Sequence, residues 1–431
     1  MRSMLQCMDC GRQYPTNQVI YACESCGGLL DVVHDLDALR SVVSRELFDS
    51  RLGVLSGPHR SGVWRYKELV YPDLPNDLVV TRPEGNTNLY TAPPRIAEYV
   101  GLRRLFFKHE GENPTGSFKD RGMTGGVTQA RALGMSRVAC ASTGNTSASL
   151  AAYAAFAGLQ GIVLFENKQV ALGKLSQAVA YGAVCLRIAA DFDRNLELVR
   201  EISDSLGIYV LNSVNPFRLE GQKTIMFETI QQLRWNAPDW IVVPGGNLGN
   251  SSAFGKGLKE LYDLGLIDRI PRIAVIQAEG ANPLYRAFLT EFEHYEPVHA
   301  ETLATAIKIG NPVNYRKAVR TIETTDGIVA QVTDREIMDA KALIDAAGIG
   351  CEPASGCSLA GVRVLADAGI IRPDETVVGV LTGHVLKDPD ATIAYHRGEL
   401  PSGEPAFPNH IHEAEPTVEA IAAAIGAGFA R

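Results

Sequence analysis

Short apolar segments alternate with helical segments from about residue 104 onward, and this alternation constrains the fold more than any other feature of the chain. The segments between the apolar ones, such as "NTSASLAAYAAFAG", carry a helical pattern that ends at a glycine. Strands that alternate with helices form a mostly parallel sheet covered on both faces. The segments predicted as strands include "RLFFKH", "SRVACAS", "GIVLFE", "DWIVVPGG", "PRIAVIQAE" and "ETVVGVLTG".

A sheet of this kind also predicts where a ligand binds. Parallel sheets bind ligands beyond the carboxyl ends of their strands. In this chain the rule directs attention to the turns after His109, Ser142, Pro244 and Val380.

Charge and hydropathy exclude several classes of function. The net charge is −8, so the chain lacks the basic surface that nucleic acids require. No segment approaches the run of about 18 apolar residues that spans a membrane. The first residues, "MRSMLQCMDCG", lack the apolar core of a signal peptide. We therefore predict a cytoplasmic protein with neither a nucleic-acid nor a membrane partner.

The turn "VPGGNLGN" is the clearest candidate for phosphate binding. Glycines let a backbone approach an oxyanion closely, and the following helix offers free N–H groups at its N-terminus. The turn is neither a Walker loop nor a dinucleotide fingerprint, because both patterns need a different glycine order. A plain connection between strand and helix is the alternative. The candidate residues are Gly245, Gly246, Asn247, Leu248, Gly249 and Asn250.

Two further turns present hydroxyl and amide groups. "ASTGNTSAS" contains Ser142, Thr143, Asn145 and Thr146, which could hold a carboxylate or phosphate or simply cap the next helix. Thr382 follows a buried strand and could face a ligand. Taken alone, a hydroxyl at such a turn more often bonds to its own backbone.

The segment "GENPTGSFKDRG" places Lys119 where a helix is predicted to begin. The helix dipole opposes a cation in the first turn, so a lysine there suggests a role other than a solvated charge. A desolvated lysine is a nucleophile that forms Schiff bases with carbonyls. Together, one lysine, one phosphate cup and two polar turns suit pyridoxal phosphate, whose aldehyde, phosphate and ring nitrogen each need a partner.

At these residues the chain resembles the threonine synthase family of fold-type-II pyridoxal-phosphate enzymes. The resemblance is carried by "ENPTGSFKDRG", "STGNTSAS", "NSVNPFRLEGQKT", "VPGGNLGN" and "LTGHVLKDP", and it extends through the N-terminal part to all but about the last 35 residues. It implies a tryptophan synthase β-like α/β fold with two parallel-sheet domains and a small zinc-ribbon-like segment.

The resemblance also implies roles for single residues. Lys119 would bind the cofactor covalently, Asn145 would bond the ring hydroxyl, and Thr382 would face the ring nitrogen. The glycine turn would bind the cofactor phosphate, with Gly245 supporting it. The residues implied to contact the substrate are Ser142, Thr143, Thr146, Ser213 and Arg218.

The implied reaction converts O-phospho-L-homoserine and water into L-threonine and phosphate, and the family suggests a homodimer. Two alternatives stay open. One is a related enzyme that performs β-replacement on another phosphoamino acid, such as cysteate synthase. The other is a non-catalytic protein that binds a phosphorylated ligand, against which the intact Lys119 argues.

Four cysteines in the first 26 residues form a separate candidate site. Cys7, Cys10, Cys23 and Cys26 follow the pattern C-x2-C-x12-C-x2-C, and four thiolates suit a structural zinc ion. A closed site of this kind leaves no position for catalysis. The alternative is a set of free thiols in a segment that folds without metal.

These patterns and the resemblance together imply the division of the chain. Residues 1–34 form the ribbon-like segment, 35–80 a dimerisation or regulatory region, and 397–431 a C-terminal tail. The large cofactor-binding domain comprises 81–124 and 215–396, and the smaller inserted domain comprises 125–214.

Overall fold

The computed structural model describes residues 2–166, 172–189, 198, 201, 203 and 205–429. Parts of the predicted smaller domain and the end of the predicted tail therefore lie outside the described residues. The described strands are β1 Ser3–Cys7, β2 Gln13–Pro15, β3 Leu30–His34, β4 Leu89–Thr91, β5 Arg104–His109, β6 Arg137–Ala141, β7 Gln160–Glu166, β8 Val184–Ile188, β9 Ile208–Val210, β10 Trp240–Pro244, β11 Arg272–Ala278, β12 Ile328–Val332 and β13 Thr376–Leu381.

Helices follow most of these strands. The α-helices among the described residues are Leu36–Arg40, Arg45–Ser50, Lys67–Val70, Pro94–Val100, Lys119–Ala132, Asn145–Phe156, Leu172–Ala180, Pro216–Gln232, Gly249–Asp263, Pro283–Phe288, Tyr315–Thr324, Asp334–Ala346, Pro353–Asp367, Pro389–His396 and Val418–Phe429. Short 3₁₀ turns occur at Pro58–Arg60, Trp64–Tyr66, Asn76–Leu78, Glu110–Glu112, Glu279–Ala281, Thr305–Ile307 and Val385–Lys387.

The larger sheet, as far as the structure describes it, has the strand order β12-β11-β10-β13-β5-β4. All its pairs are parallel except β4 with β5. Alternate residues of β10 enter different cores: Ile241 and Val243 pack on one face, and Trp240 and Val242 on the other. Helices cover both faces, which is why the strand is buried throughout and its sequence is continuously apolar. The predicted α/β class is confirmed.

A second sheet has the order β8-β7-β6-β9, and its described pairs are all parallel. In β6, Val138 and Cys140 point into one core while Ala139 and Ala141 point into another. This sheet lies within the predicted smaller domain, whose boundaries of 125 and 214 stay a prediction.

The N-terminal segment forms an antiparallel sheet of order β2-β1-β3. Its small core includes Phe217, which belongs to the helix Pro216–Gln232. An ion pair and a hydrogen bond reinforce the contact: Lys317 lies 2.7 Å from Asp31, and the His34 ring lies 2.8 Å from Glu220. The segment is therefore packed against the body of the protein.

The carboxyl ends of the two parallel sheets face a common crevice. The turn before Lys119 is fixed to the end of β13, because the Phe118 N–H donates to the Thr382 carbonyl over 3.0 Å. The end of β6 is fixed by Asn212, whose amide exchanges two hydrogen bonds with the Ala141 backbone. These contacts place the polar turns around one cavity.

Candidate active site

A cavity of about 1560 Å³ lies at the carboxyl ends of both parallel sheets. Gly245 does not line it: a Cβ at Gly245 would lie 2.7 Å from Val275, so this glycine packs against the neighbouring strand. The other residues predicted to bind cofactor or substrate all line the cavity, namely Lys119, Ser142, Thr143, Asn145, Thr146, Ser213, Arg218, Gly246, Asn247, Leu248, Gly249, Asn250 and Thr382. Their individual roles stay predictions.

Lys119 is the first residue of the helix Lys119–Ala132. Its ammonium nitrogen lies 4.1 Å from the centre of the Phe118 ring. Burial, and secondly the positive charge of Arg218, lower the pKa of Lys119 to about 7. A lysine with this pKa is largely neutral in mildly alkaline solution, and its amine is then available as a nucleophile.

Arg218 is another basic residue that lines the cavity, and it is 1% exposed. Among the described residues, its Nε and Nη1 atoms have no hydrogen-bond partner. Burial lowers the pKa of Arg218 to about 10. A buried guanidinium with two unused donors is costly, and an anion with a planar or tetrahedral array of oxygens would satisfy it.

The glycine turn adopts the geometry of an anion cup. Leu248 has a φ of 61°, and the helix Gly249–Asp263 begins directly after it. A Cβ at Gly246 would lie 3.0 Å from Ile307, so a side chain there would crowd the cavity. The Asn247 side chain accepts a hydrogen bond from the Val313 backbone over 2.9 Å, which anchors the turn. The cup combines a helix N-terminus with a close backbone approach.

Glu352 is a cavity residue that the sequence did not reveal. It is 4% exposed and connects two predicted site residues: the Asn145 amide donates to it over 2.8 Å, and the Thr382 hydroxyl over 2.9 Å. Burial raises the pKa of Glu352. Its position just before Pro353, at the start of a helix, resembles that of an ordinary helix cap, which is why sequence reasoning passed over it.

Two other cavity residues were also missed. Gln222 is 3% exposed, and its Oε1 atom has no partner among the described residues. Lys387 lines the cavity and donates to the Gln177 side chain. A lysine or glutamine within a helical or turn sequence gives no local sign that it lines a cavity. Their place in the cavity depends on the folded chain.

Outside the cavity, the four N-terminal cysteines lie together. All four Sγ atoms lie within 4.8 Å of one another, and the distance is 3.5 Å both from Cys7 to Cys26 and from Cys10 to Cys23. Tetrahedral zinc with Zn–S bonds of about 2.3 Å implies S–S distances of about 3.8 Å, so the arrangement fits this ion. A hydrogen bond from Tyr14 lowers the pKa of Cys23 to about 6, whereas the pKa of Cys10 is raised and that of Cys26 is raised to about 12.

Among the helices that the structure describes, none is long and apolar enough to cross a membrane.

Comparison with known proteins identifies the family. A family profile described as "Pyridoxal-phosphate dependent enzyme" matches residues 80–383. Threonine synthase from Methanocaldococcus jannaschii is 48% identical over 90% of this chain and 94% of its own length. Threonine synthase 2 of Arabidopsis thaliana, a chloroplastic protein, is 43% identical over 89% of this chain and 76% of its own length.

Solved structures agree on the fold. A maize serine racemase superimposes with a TM-score of 0.61 at 19% identity, over 75% of this chain and 92% of its own. The processed form of threonine deaminase isoform 2 from Solanum lycopersicum gives a TM-score of 0.62 at 19% identity, over 72% of this chain and 88% of its own. The fold-type-II architecture predicted from the sequence is confirmed. The chain belongs to the pyridoxal-phosphate dependent enzyme family and, within it, to the threonine synthases.

Proposed function

We propose that the protein converts O-phospho-L-homoserine and water into L-threonine and phosphate, as a lyase that depends on pyridoxal phosphate. One observation carries the proposal: two cations, Lys119 and Arg218, face one cavity that also contains an anion cup, and neither forms a salt bridge with a described residue. A lysine-bound cofactor and a phosphorylated substrate together need this combination of groups.

The residues present fit pyridoxal phosphate. Lys119, with its pKa of about 7, would hold the aldehyde carbon, and the cup at Gly246 to Asn250 would hold the phosphate. Bound pyridoxal phosphate would withdraw electrons from the substrate's α-carbon and stabilise the charge left by proton removal.

Lys119 would also move protons. When it is not bonded to the cofactor, its free amine would take the proton from the α-carbon, release it, and then take one from the β-carbon. The bond between the γ-carbon and the phosphate oxygen then breaks. Water supplies the hydroxyl group to the β-carbon, and protons returned to the γ- and α-carbons complete threonine. The low pKa of Lys119 suits both directions of transfer near neutral pH.

Arg218 would hold the substrate's phosphate. Its Nε and Nη1 atoms have no partner among the described residues and can donate to phosphate oxygens, and Ser213 adds a hydroxyl to the lining of the same cavity. A separate cup, with Ser142, Thr143 and Thr146, opens at the N-terminus of the helix Asn145–Phe156. A helix N-terminus favours a carboxylate, so this cup would orient the amino acid end.

Product analysis tests the proposal. Purified protein loaded with pyridoxal phosphate is incubated with O-phosphohomoserine, and threonine and phosphate are both quantified. We expect equal amounts of the two products. Phosphate released without threonine, or neither product, would contradict the proposal. Parallel incubations with phosphoserine and sulfite test the cysteate synthase alternative, which no observed feature of the cavity favours.

We also propose that Cys7, Cys10, Cys23 and Cys26 hold a structural zinc ion. The four convergent Sγ atoms support this, and the site has no catalytic role because four protein ligands complete the coordination. Metal analysis of protein purified without chelator should give one zinc per chain, and Cys23→Ser should lower that content. Protein that contains no zinc would overturn the proposal. A homodimer and a cytoplasmic location stay predictions.

A further inference from the structure

The N-terminal sheet packs against the helix that carries Arg218, at the residue directly before this arginine. Phe217 is 3% exposed and belongs to the same small core as Leu30 and Val32 of the N-terminal segment. Its ring also packs on the Tyr71 ring, with the two centroids 5.5 Å apart. The helix is therefore attached to the N-terminal segment by a side chain inserted into the core of that segment.

Polar contacts join the same two elements further along the helix. Glu220 lies 2.8 Å from the His34 ring, and both side chains are buried. Lys256 donates to Glu220 and also to the Val32 carbonyl of β3. Water competes little for hydrogen bonds in such buried surroundings. The N-terminal sheet is thus attached to the helix on both sides of Arg218 in the sequence.

A second attachment leads to Ser213, the other residue assigned to the substrate's phosphate. The Lys317 ammonium donates to the Leu30 carbonyl over 2.7 Å and lies 2.7 Å from Asp31. Lys317 lies in the first turn of a helix, and Asn314, the residue before that helix, donates to the Ser213 carbonyl over 3.2 Å. Both phosphate-site residues are therefore connected to the N-terminal segment.

The helix that carries Arg218 has no freedom to move toward the helix that begins at Lys119. A Cβ at Gly221 would lie 1.7 Å from the Arg121 carbonyl oxygen. A Cβ at Gly125 would lie 2.6 Å from the carbonyl oxygen of Phe217. The two helices therefore touch backbone to backbone. The Phe217 side chain resists displacement in other directions, because leaving the N-terminal core would expose its ring to water.

We propose that Phe217 is a positioning residue through which the N-terminal segment, residues 2–34, holds Arg218 at the substrate's phosphate. The inference rests on the proposed function, in which Arg218 binds that phosphate. Because the two residues are consecutive, a displacement of Phe217 moves the guanidinium with the helix backbone. None of residues 2–34, all of which the structure describes, lines the cavity. The segment would therefore set the affinity for substrate without touching substrate or cofactor.

The size of the effect follows from hydrogen-bond geometry. Hydrogen bonds weaken steeply when the donor is bent away from the acceptor. A displaced guanidinium can therefore lose one of its hydrogen bonds to phosphate while keeping its charge. The loss of one hydrogen bond to a charged group corresponds to about a tenfold or larger rise in Kd.

Binding of inorganic phosphate tests the inference. The protein is loaded with pyridoxal phosphate, which occupies the anion cup, and the Kd of phosphate is measured by titration calorimetry. Phe217→Ala and Leu30→Ala should each raise this Kd about tenfold. The long-wavelength absorbance of the bound cofactor should stay unchanged in both variants. Phe48→Ala is the matched control and should keep the Kd of the unchanged protein, because Phe48 is equally buried but packs on Tyr66 and Trp235.

Leu30→Ala separates a role of the N-terminal segment from a local effect on the helix. An unchanged Kd in Leu30→Ala would overturn the inference, and so would an equal rise in Phe48→Ala. If Leu30→Ala does not fold, Val32→Ala removes less volume from the same core and carries the same expectation. Phe217→Met keeps most of the apolar volume and should restore most of the phosphate affinity. A Kd as high in Phe217→Met as in Phe217→Ala would count against the inference.

Arg218→Leu distinguishes failure of the inference from failure of the proposed function. This variant should weaken phosphate binding more than Phe217→Ala or Leu30→Ala does. If Arg218→Leu weakens binding while the other two variants bind phosphate normally, the inference alone is wrong. If phosphate binds equally well to Arg218→Leu, or does not bind to the unchanged protein, Arg218 does not hold phosphate and both proposals are wrong.

Discussion

Lys119 and Arg121 lie two positions apart on one helix, yet their surroundings differ completely. Arg121 forms a forked pair with Glu110, with both contacts at 2.7 Å, and a third contact with Glu228 at 2.8 Å. Burial opposes its charge, but the two carboxylates outweigh burial and raise the pKa of Arg121. Lys119 faces a cavity instead, and burial lowers its pKa to about 7.

The difference separates two uses of a cation inside the fold. A paired cation is part of the scaffold, and removing one partner leaves an uncompensated buried charge. A cation that faces an open cavity and forms no salt bridge contributes little to the free energy of folding. It remains available to bind an anionic or electrophilic ligand. Arg218 belongs with Lys119, because its Nε and Nη1 atoms lack partners among the described residues.

The largest effect is expected when the cavity lysine is removed. Lys119→Ala should lower kcat by about 10³-fold or more, because it deletes both the covalent anchor and the proton carrier. The long-wavelength absorbance of the lysine-bound cofactor should disappear with it. Lys387→Ala is the matched control, and this variant should keep the absorbance. A persisting absorbance in Lys119→Ala would mean that another lysine binds the cofactor.

The paired cation should behave in the opposite way. Arg121→Leu should reduce the free energy of unfolding by about 3–5 kcal/mol, because Glu110 and Glu228 lose their shared partner. Urea denaturation of cofactor-free protein measures this. Arg218→Leu, the same change at the cavity, should cost far less, since no carboxylate is left behind. Equal losses of unfolding free energy in the two variants would contradict the distinction between cations that stabilise the fold and cations that bind ligands.

Arg218 should instead affect the substrate. Arg218→Leu should raise the KM for O-phosphohomoserine by about 10- to 100-fold, which is the worth of hydrogen bonds to a charged group. Arg218→Lys should recover part of the loss, because lysine restores the charge without the forked geometry. Steady-state kinetics would contradict this role if KM stayed constant and only kcat fell.

The smallest effect is a pH dependence. Since the pKa of Lys119 is lowered to about 7, its neutral, nucleophilic form accumulates as the pH rises to that value. The rate at which cofactor-free protein captures pyridoxal phosphate should rise up to about tenfold per pH unit below pH 7 and level off above it. Stopped-flow absorbance follows the reaction. A rise that continues to about pH 10 would indicate a lysine with an ordinary pKa.

Much of the scaffold could be predicted because its signals are local. Continuous apolar runs such as that of β10 mark strands buried on both faces, and a glycine after a helix often marks its end. Some strands at sheet edges were missed. β8 is partly exposed and β12 contains a glutamine, so neither presents a continuous apolar run.

The site was predictable only in part. Glycine turns and a lysine at the start of a helix can be recognised within about ten residues of sequence. Glu352, by contrast, contacts Asn145, which lies 207 positions away in the chain. No local pattern encodes such a contact, because it depends on how two sheets meet. The pairing of Arg121 and the isolation of Lys119 are also invisible in "FKDRG", where the two cations look alike.

The central claim is that Lys119 and Arg218 form no salt bridge with a described residue because each binds a ligand instead. A crystal structure of the protein with pyridoxal phosphate and inorganic phosphate tests it most directly. The account predicts continuous density between the Lys119 amine and the cofactor, and a phosphate ion within hydrogen-bond distance of the Arg218 guanidinium. Cofactor attached to Lys387, or a guanidinium still without an anion, would contradict it.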